Sequence, residues 1–232
     1  MSITTIANSQ PSDRDYLWKK VQTCIKNQQD KNNPSPCLYV DLQKKYAVAN
    51  GSHQVEYLLL PTNKVSGIDD PQILKQNSPN YWQYTWEKAN EYIPQKESKV
   101  KYRNQIGLAI NSQESRMQDQ LHIHMSCIDK DVSFRLDKAE QNKQITSQWT
   151  QTPNISLKGH QYSVKILEND SLKYNNPFHL VAKIVTPSEM GHQSIAIAGR
   201  KKQGFYIIKD QSQGLHKAAA EELLDENCQT QK

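Results

Sequence analysis

The chain has 232 residues, 36% of them apolar, with 29 Lys and Arg against 24 Asp and Glu for a formal net charge of +5. That length can bury one good core, while the strongest apolar run, Tyr57-Leu58-Leu59-Leu60, falls far short of the roughly 20 residues a membrane span needs. The mild basic excess suits anionic lipids or nucleotides, but Lys44-Lys45 and Arg200-Lys201-Lys202 carry no interleaved aromatics, so no nucleic-acid partner is expected.

Residues 1–11 read as disordered. Residues 12–232 read as a single unit in two halves, about 12–150 and 151–232, because no Pro/Gly/Ser-rich linker divides them. Ser12 with Asp15 resembles a capping box, and Leu17, Val21, Cys24 and Ile25 then share one helical face. Pro34-Ser35-Pro36 closes a polar loop. Tyr46 and Val48 lead to Asn50-Gly51, a two-residue turn signal, with residues 54–60 returning as the partner strand and Pro61 ending it. Ser78-Pro79 starts a helix with Trp82, Thr85, Trp86, Ala89 and Ile93 on its apolar face, and Pro94 stops it. Ile106, Leu108 and Ile110 alternate in a strand, and a polar loop over 112–119 connects to a second strand over 120–128. A polar helix is expected from 131 to about 149. The second half reads as strand 162–167, helix 178–185, strands 194–198 and 205–208, and a last helix over 218–227. Strands in hairpins with helices between them indicate an α+β fold class, antiparallel sheets with flanking helices.

The stretch Gln118-Asp119-Gln120-Leu121-His122-Ile123-His124-Met125-Ser126-Cys127 carries the chemistry. Period-two alternation sends Leu121, Ile123, Met125 and Cys127 to a core face and Gln118, Gln120, His122, His124 and Ser126 to the other. Two imidazoles one strand repeat apart, roughly 6.5–7 Å, can contact successive atoms of one phosphoryl group. An imidazole nucleophile must be neutral near pH 7, and phosphoryl transfer needs donors for the equatorial oxygens. Gln120, His124 and Ser126 are candidates, joined by Asn111, Ser112, Arg116 and Gln118 from the preceding loop; Arg116, the one cation there, could hold phosphate bidentately. The same pattern also fits two solvated histidines. A metal site of His-x-His with Cys127 is disfavoured, because alternation puts the sulfur on the opposite face. His53, His179, His192 and His216 read as surface residues, Lys64 as solvated, and His160 with Tyr162 as either a structural pair or part of the site. Cys24, Cys37, Cys127 and Cys228 form no Cys-x-x-Cys pair; they fit two disulfides or four reduced core thiols, and composition leaves the compartment open.

The histidine strand resembles the active-site strand of the histidine-triad superfamily. More closely, the chain is similar from about residue 17 to 228 to the bacterial CDP-diacylglycerol pyrophosphatase family. The resemblance rests on Asn33-Pro34-Ser35-Pro36-Cys37, Tyr57-Leu58-Leu59-Leu60-Pro61-Thr62, Pro79-Asn80, Leu108-Ala109-Ile110-Asn111-Ser112, His122-Ile123-His124-Met125-Ser126-Cys127, Gly159-His160-x-Tyr162 and Asn176-Pro177-Phe178. It implies a histidine-triad-like fold and hydrolysis of CDP-diacylglycerol to CMP and phosphatidate. His122 would be the nucleophile and His124 the phosphate-binding partner, with no cofactor and no metal. Gln120 stands where the superfamily has its first histidine. The family's N-terminal membrane anchor has no counterpart in this sequence, so either an anchor is removed or the protein reaches its lipid from solution. A membrane surface is the implied partner, the periplasmic side of the inner membrane the implied location, and a homodimer stays open. In that compartment the expected disulfides are Cys24–Cys228 and Cys37–Cys127. Two other readings remain: a histidine-triad hydrolase or nucleotidyltransferase for a soluble nucleotide, and a non-catalytic nucleotide-binding module.

Overall fold

The computed structural model describes residues 13–150, 153 and 155–229. Helix α1 (Tyr16–Lys31) buries Leu17, Val21 and Cys24 and ends at Asn32, whose left-handed backbone lets its N–H return to the helix carbonyls. Strands β1 (Tyr39–Asp41), β2 (Tyr46–Asn50) and β3 (Tyr57–Pro61) follow, then α2 (Tyr81–Lys96) and β4 (Ile106–Ile110). Next come β5 (Ile123–Ile128), α3 (Lys130–Gln141), β6 (Ile155–Leu157), β7 (His160–Leu167), α4 (Pro177–Ala182), β8 (Gln193–Gly199), β9 (Phe205–Gln211) and β10 (Leu224–Asp225).

The strands make one ten-stranded sheet in the order β1-β2-β3-β5-β4-β8-β9-β7-β6, with β10 added beside β5. Every pairing is antiparallel. The fold class is therefore α+β. The first and second halves meet where β4 pairs β8, Gly107 opposite Ala198 through Ile110 opposite Ile195.

Alternation along the central strands divides the core by face. Leu108, Ile123, Met125, Ile195 and Ile207 pack on one side against Trp82, Trp86, Ala89 and Ile93 of α2 and Phe178 of α4. On the other side there are two separate clusters. Val132, Leu136 and Ala139 of α3 pack on Val164, Ala196 and Ile208. Leu17, Val21 and Cys24 of α1 pack on Ala47, Ala49 and Leu58. The ground between those clusters, over β3, β5 and β10, is the floor of a cleft.

Several sequence expectations change. The helix expected to begin at Ser78 is capped by Asn80, which accepts from the Gln83 N–H, and it runs two residues past Pro94. The hairpin after β2 has a longer loop in place of a two-residue turn, because β3 begins only at Tyr57. The strand expected from Gln120 pairs only from Ile123. Helix α3 stops at Gln141, where Lys143 takes a φ of 58° and the Gln144 N–H returns to the Ala139 carbonyl at 2.8 Å. The expected terminal helix is a single 3-10 turn, Ala220–Leu223, followed by β10. Pairing β10 with β5 satisfies backbone groups that a solvent-side helix would have satisfied internally. The disulfides are Cys24–Cys37 and Cys127–Cys228, which overturns both expected pairings. The register explains why: Asp225 lies opposite Cys127, so Cys228 arrives at β5, while Cys37 enters β1 beneath α1. Ser12, half of the expected capping box, and the expected disordered start lie outside the described residues.

Candidate active site

The loop between β4 and β5 is anchored by Gln120, which has no solvent exposure. Its amide nitrogen donates to the Pro61 and Asn63 carbonyls, both at 2.9 Å, and its oxygen accepts from the Val65 N–H at 3.3 Å. Its own carbonyl is thereby fixed and accepts from His122 Nδ1 at 2.7 Å. An imidazole that donates from Nδ1 and is neutral keeps its lone pair on Nε2. Burial, then the charges of His124 and Arg116, push the His122 pKa down to about 4 against the opposing bond to Gln120. His122 thus stands neutral at pH 7, in the tautomer a nucleophile requires.

His124 is built the other way. Its Nδ1 meets Glu56 Oε1 at 2.7 Å, and its Nε2 makes no hydrogen bond but lies 3.2 Å from Glu221 Oε2. Burial alone would lower its pKa; the bond to Glu56 and the charges of Glu221, Glu56 and Glu226 outweigh burial and raise it. The two imidazole centroids are 5.0 Å apart.

Glu56 heads β3 and is 3% exposed. It accepts from the backbone N–H groups of Ser52 at 2.7 Å and His53 at 3.1 Å. Burial would raise its pKa, but His124 and those N–H groups bring it down to about 2. Gly51 belongs to this design, because a Cβ there would collide with the Glu56 carboxyl. The C-terminal segment closes the opposite wall. There Glu226 pairs with His53 Nε2 at 2.8 Å, and burial followed by the charge of Glu56 raises its pKa.

These groups line a cleft of about 700 Å³ together with Lys20, Leu58, Asn111 and Gln118, with Tyr16 and Met117 at its mouth. The sequence-derived candidates therefore separate. His122 and His124 share the cleft. Asn111 lines it while accepting the Glu221 N–H at 3.2 Å. Gln118 lines it while its oxygen accepts from Leu17 N at 3.0 Å and its nitrogen donates to Asp13 O at 2.9 Å, which fastens the start of α1. Gln120 and Ser126 are fully buried and spent on backbone; the single Ser126 O–H is shared between the Val55 carbonyl at 2.8 Å and the Asp225 carbonyl at 3.0 Å. Ser112 Oγ bonds the Lys217 carbonyl and lies outside the cleft lining. Arg116 sits behind the lining with its guanidinium on Asp69 and on Asp119, the latter at 3.2 Å. Its charge still reaches His122.

Sequence reasoning missed Glu56, Glu221 and Glu226, and placed His53 on the surface without the cleft it borders. One signal was present: a glutamate opening an otherwise apolar strand, Val55-Glu56-Tyr57-Leu58. His160 and Tyr162 both bond Glu222 Oε1, at 2.7 and 2.5 Å, and brace that residue from behind the cleft wall. Two triplets, His53/Glu56/Glu226 and His124/Glu221/Glu226, bring possible ligand atoms within 4.8 Å of one another. They are the residues that could hold a divalent cation. Among the described residues no helix is long and apolar enough to cross a membrane.

A family model for CDP-diacylglycerol pyrophosphatase matches residues 12–232. A protein of Yersinia pestis named CDP-diacylglycerol pyrophosphatase is 35% identical over 224 residues, covering 94% of this chain and 85% of its own length. The protein is accordingly a phosphoanhydride hydrolase. It belongs to the CDP-diacylglycerol pyrophosphatase family.

Proposed function

We propose that the protein hydrolyses the pyrophosphate bond of CDP-diacylglycerol to CMP and phosphatidate through a covalent phosphohistidine on His122, at a membrane surface on the periplasmic side. The observation that carries this is the pair of opposed imidazoles: a neutral His122 whose Nδ1 is committed to Gln120, beside a His124 held toward its cation by Glu56. The Nε2 lone pair of His122 attacks the phosphorus next to cytidine, and the bond from that phosphorus to the bridging oxygen breaks. Phosphatidate leaves with the electron pair. Water then attacks the same phosphorus, the P–N bond breaks, and CMP departs with loss of one proton. His124 supplies the positive charge for the phosphoryl oxygens in both steps. Arg116 reaches them only if it exchanges Asp69 and Asp119 for phosphate. Chemistry on this plan runs through protein groups alone, without cofactor or metal. In this reading Gln120 replaces the first histidine of a histidine-triad site as the residue that orients the nucleophile. Two disulfides fit an oxidising compartment, which supports the periplasmic placement.

The test is an acid quench during turnover, with substrate labelled separately in cytidine and in glycerol. Cytidine label on a peptide containing His122 is expected, with turnover abolished in His122→Ala and cut by roughly 10²–10³-fold in His124→Ala. Glycerol label on that peptide, full activity in His122→Ala, or loss on chelation with recovery on zinc or magnesium would overturn the scheme.

A further inference from the structure

The cleft is too small for the whole of a diacyl substrate. A volume of about 700 Å³ lies within the roughly 300–1,000 Å³ of sites that take one drug-sized ligand, the scale of a cytidine diphosphate without its lipid. The acyl chains must therefore lie outside, and what borders the mouth decides where. Tyr16 is 56% exposed and Met117 is 72% exposed, and both border this cleft. They come from segments tied side by side: Leu17 N donates to Gln118 Oε1 at 3.0 Å, and Asp119 N donates to the Arg14 carbonyl at 2.8 Å. Below them Leu17 and Leu58 continue an apolar wall into the cleft, each 6% exposed. Two exposed apolar side chains are too few to mark a surface by area; their continuity with the cleft is what singles them out among the exposed apolar residues. Lys20 stands on the same wall, its Nζ on the Asn50 carbonyl at 3.4 Å, in a chain of net charge +5.

We propose that Tyr16 and Met117 form a lipid-docking lip that enters the headgroup region of an anionic bilayer, so that the nucleotide end of the substrate is drawn into the cleft while its acyl chains stay in the membrane. An aromatic ring and a thioether at a polar–apolar boundary suit that depth. The proposal rests on the reading of the substrate as a CDP-linked diacylglycerol.

The experiment compares wild type, Tyr16→Ser/Met117→Ser and the control Tyr174→Ser, which alters another exposed aromatic at 79% exposure. Each is assayed on CDP-dioleoylglycerol in vesicles of phosphatidylcholine and phosphatidylglycerol, and on water-soluble CDP-glycerol. Each is also sedimented with the same vesicles lacking substrate. The double variant should lose about tenfold or more in vesicle binding and in vesicle turnover, since two apolar side chains no longer leave water. Its melting temperature should match wild type, its rate on CDP-glycerol should fall far less than its rate on vesicles, and the control should behave as wild type throughout. Unchanged vesicle binding in the double variant, or an equal loss on both substrates, overturns the lip. If wild type hydrolyses neither substrate, the functional reading fails and sedimentation alone still decides the docking.

Discussion

His122 stands just before β5 and His124 within it, and their surroundings drive their proton affinities in opposite directions. A pH profile should show both. With His122 required neutral and its pKa pushed to about 4, kcat/KM should hold through mildly acid pH and fall only as pH nears that value. With His124 required as the cation, activity should fall as pH rises through its raised pKa. Glu56→Gln removes the carboxylate that sustains that charge, so the basic limb should move to lower pH while the acidic limb moves little. A basic limb that stays put in Glu56→Gln would reject the pairing as the source of His124's charge. The same pair affects stability. Glu56, depressed from 4.5 to about 2, contributes stability above its ordinary value that is lost as pH falls toward 2. His124, raised from 6.5, contributes stability below its ordinary value that is lost as pH rises through the folded one.

Strand β5 works because the residues before it are held as firmly as the strand itself. Gln120→Ala leaves two carbonyls and one N–H without their partner in a buried site, at a cost of about 2–4 kcal/mol. Chemical denaturation should show a lower midpoint, and the loss of turnover should exceed the loss of folded protein, because the His122 Nδ1 acceptor moves too. A variant with normal stability and normal turnover would remove Gln120 from the orienting role. How much of this was legible follows from range. The faces of α2 and β5 repeat with periods set by the backbone, so Trp82, Trp86, Ile123 and Met125 could be placed from spacing alone. The acidic wall could not. Glu221 and Glu226 reach His124 only because β10 pairs β5 from about a hundred residues away, and local pattern carries no such information. The segment containing them has helical spacing but enters the sheet, where pairing overrides propensity. The expected cysteine pairing failed with it, since it is the entry of β10 into the sheet that carries Cys228 to Cys127. Asn111, Arg116 and Gln118 lie close to the histidines in sequence, yet Arg116 is engaged by carboxylates and Gln118 by the start of α1.

At the scale of the molecule, the two disulfides constrain very different lengths of chain. Cys24–Cys37 spans 13 residues and Cys127–Cys228 spans 101. In the chain-entropy account these are worth about 3 and about 4.7 kcal/mol. Cys127→Ser/Cys228→Ser should therefore lower the melting temperature more than Cys24→Ser/Cys37→Ser. It should also reduce activity in the protein that remains folded, because Glu221 and Glu226 ride on the segment the bond retains. Equal activity per folded molecule in the two double variants would show that the C-terminal segment does not depend on its tether.

The bond between Cys127 and Cys228 also makes part of the chain a closed ring, since the backbone from one to the other and the sulfur bridge complete a circuit. The exposed stretch after α3, where Lys143 holds its positive φ, lies on that ring. One cut there opens the ring without dividing the molecule. After limited trypsin treatment the protein should migrate as a single species until reductant is added, and only then separate into two pieces. Because β4 and β8 still pair across the cut, the nicked form should keep its sheet and its histidine cleft. Two pieces appearing without reductant would show that the circuit is not closed.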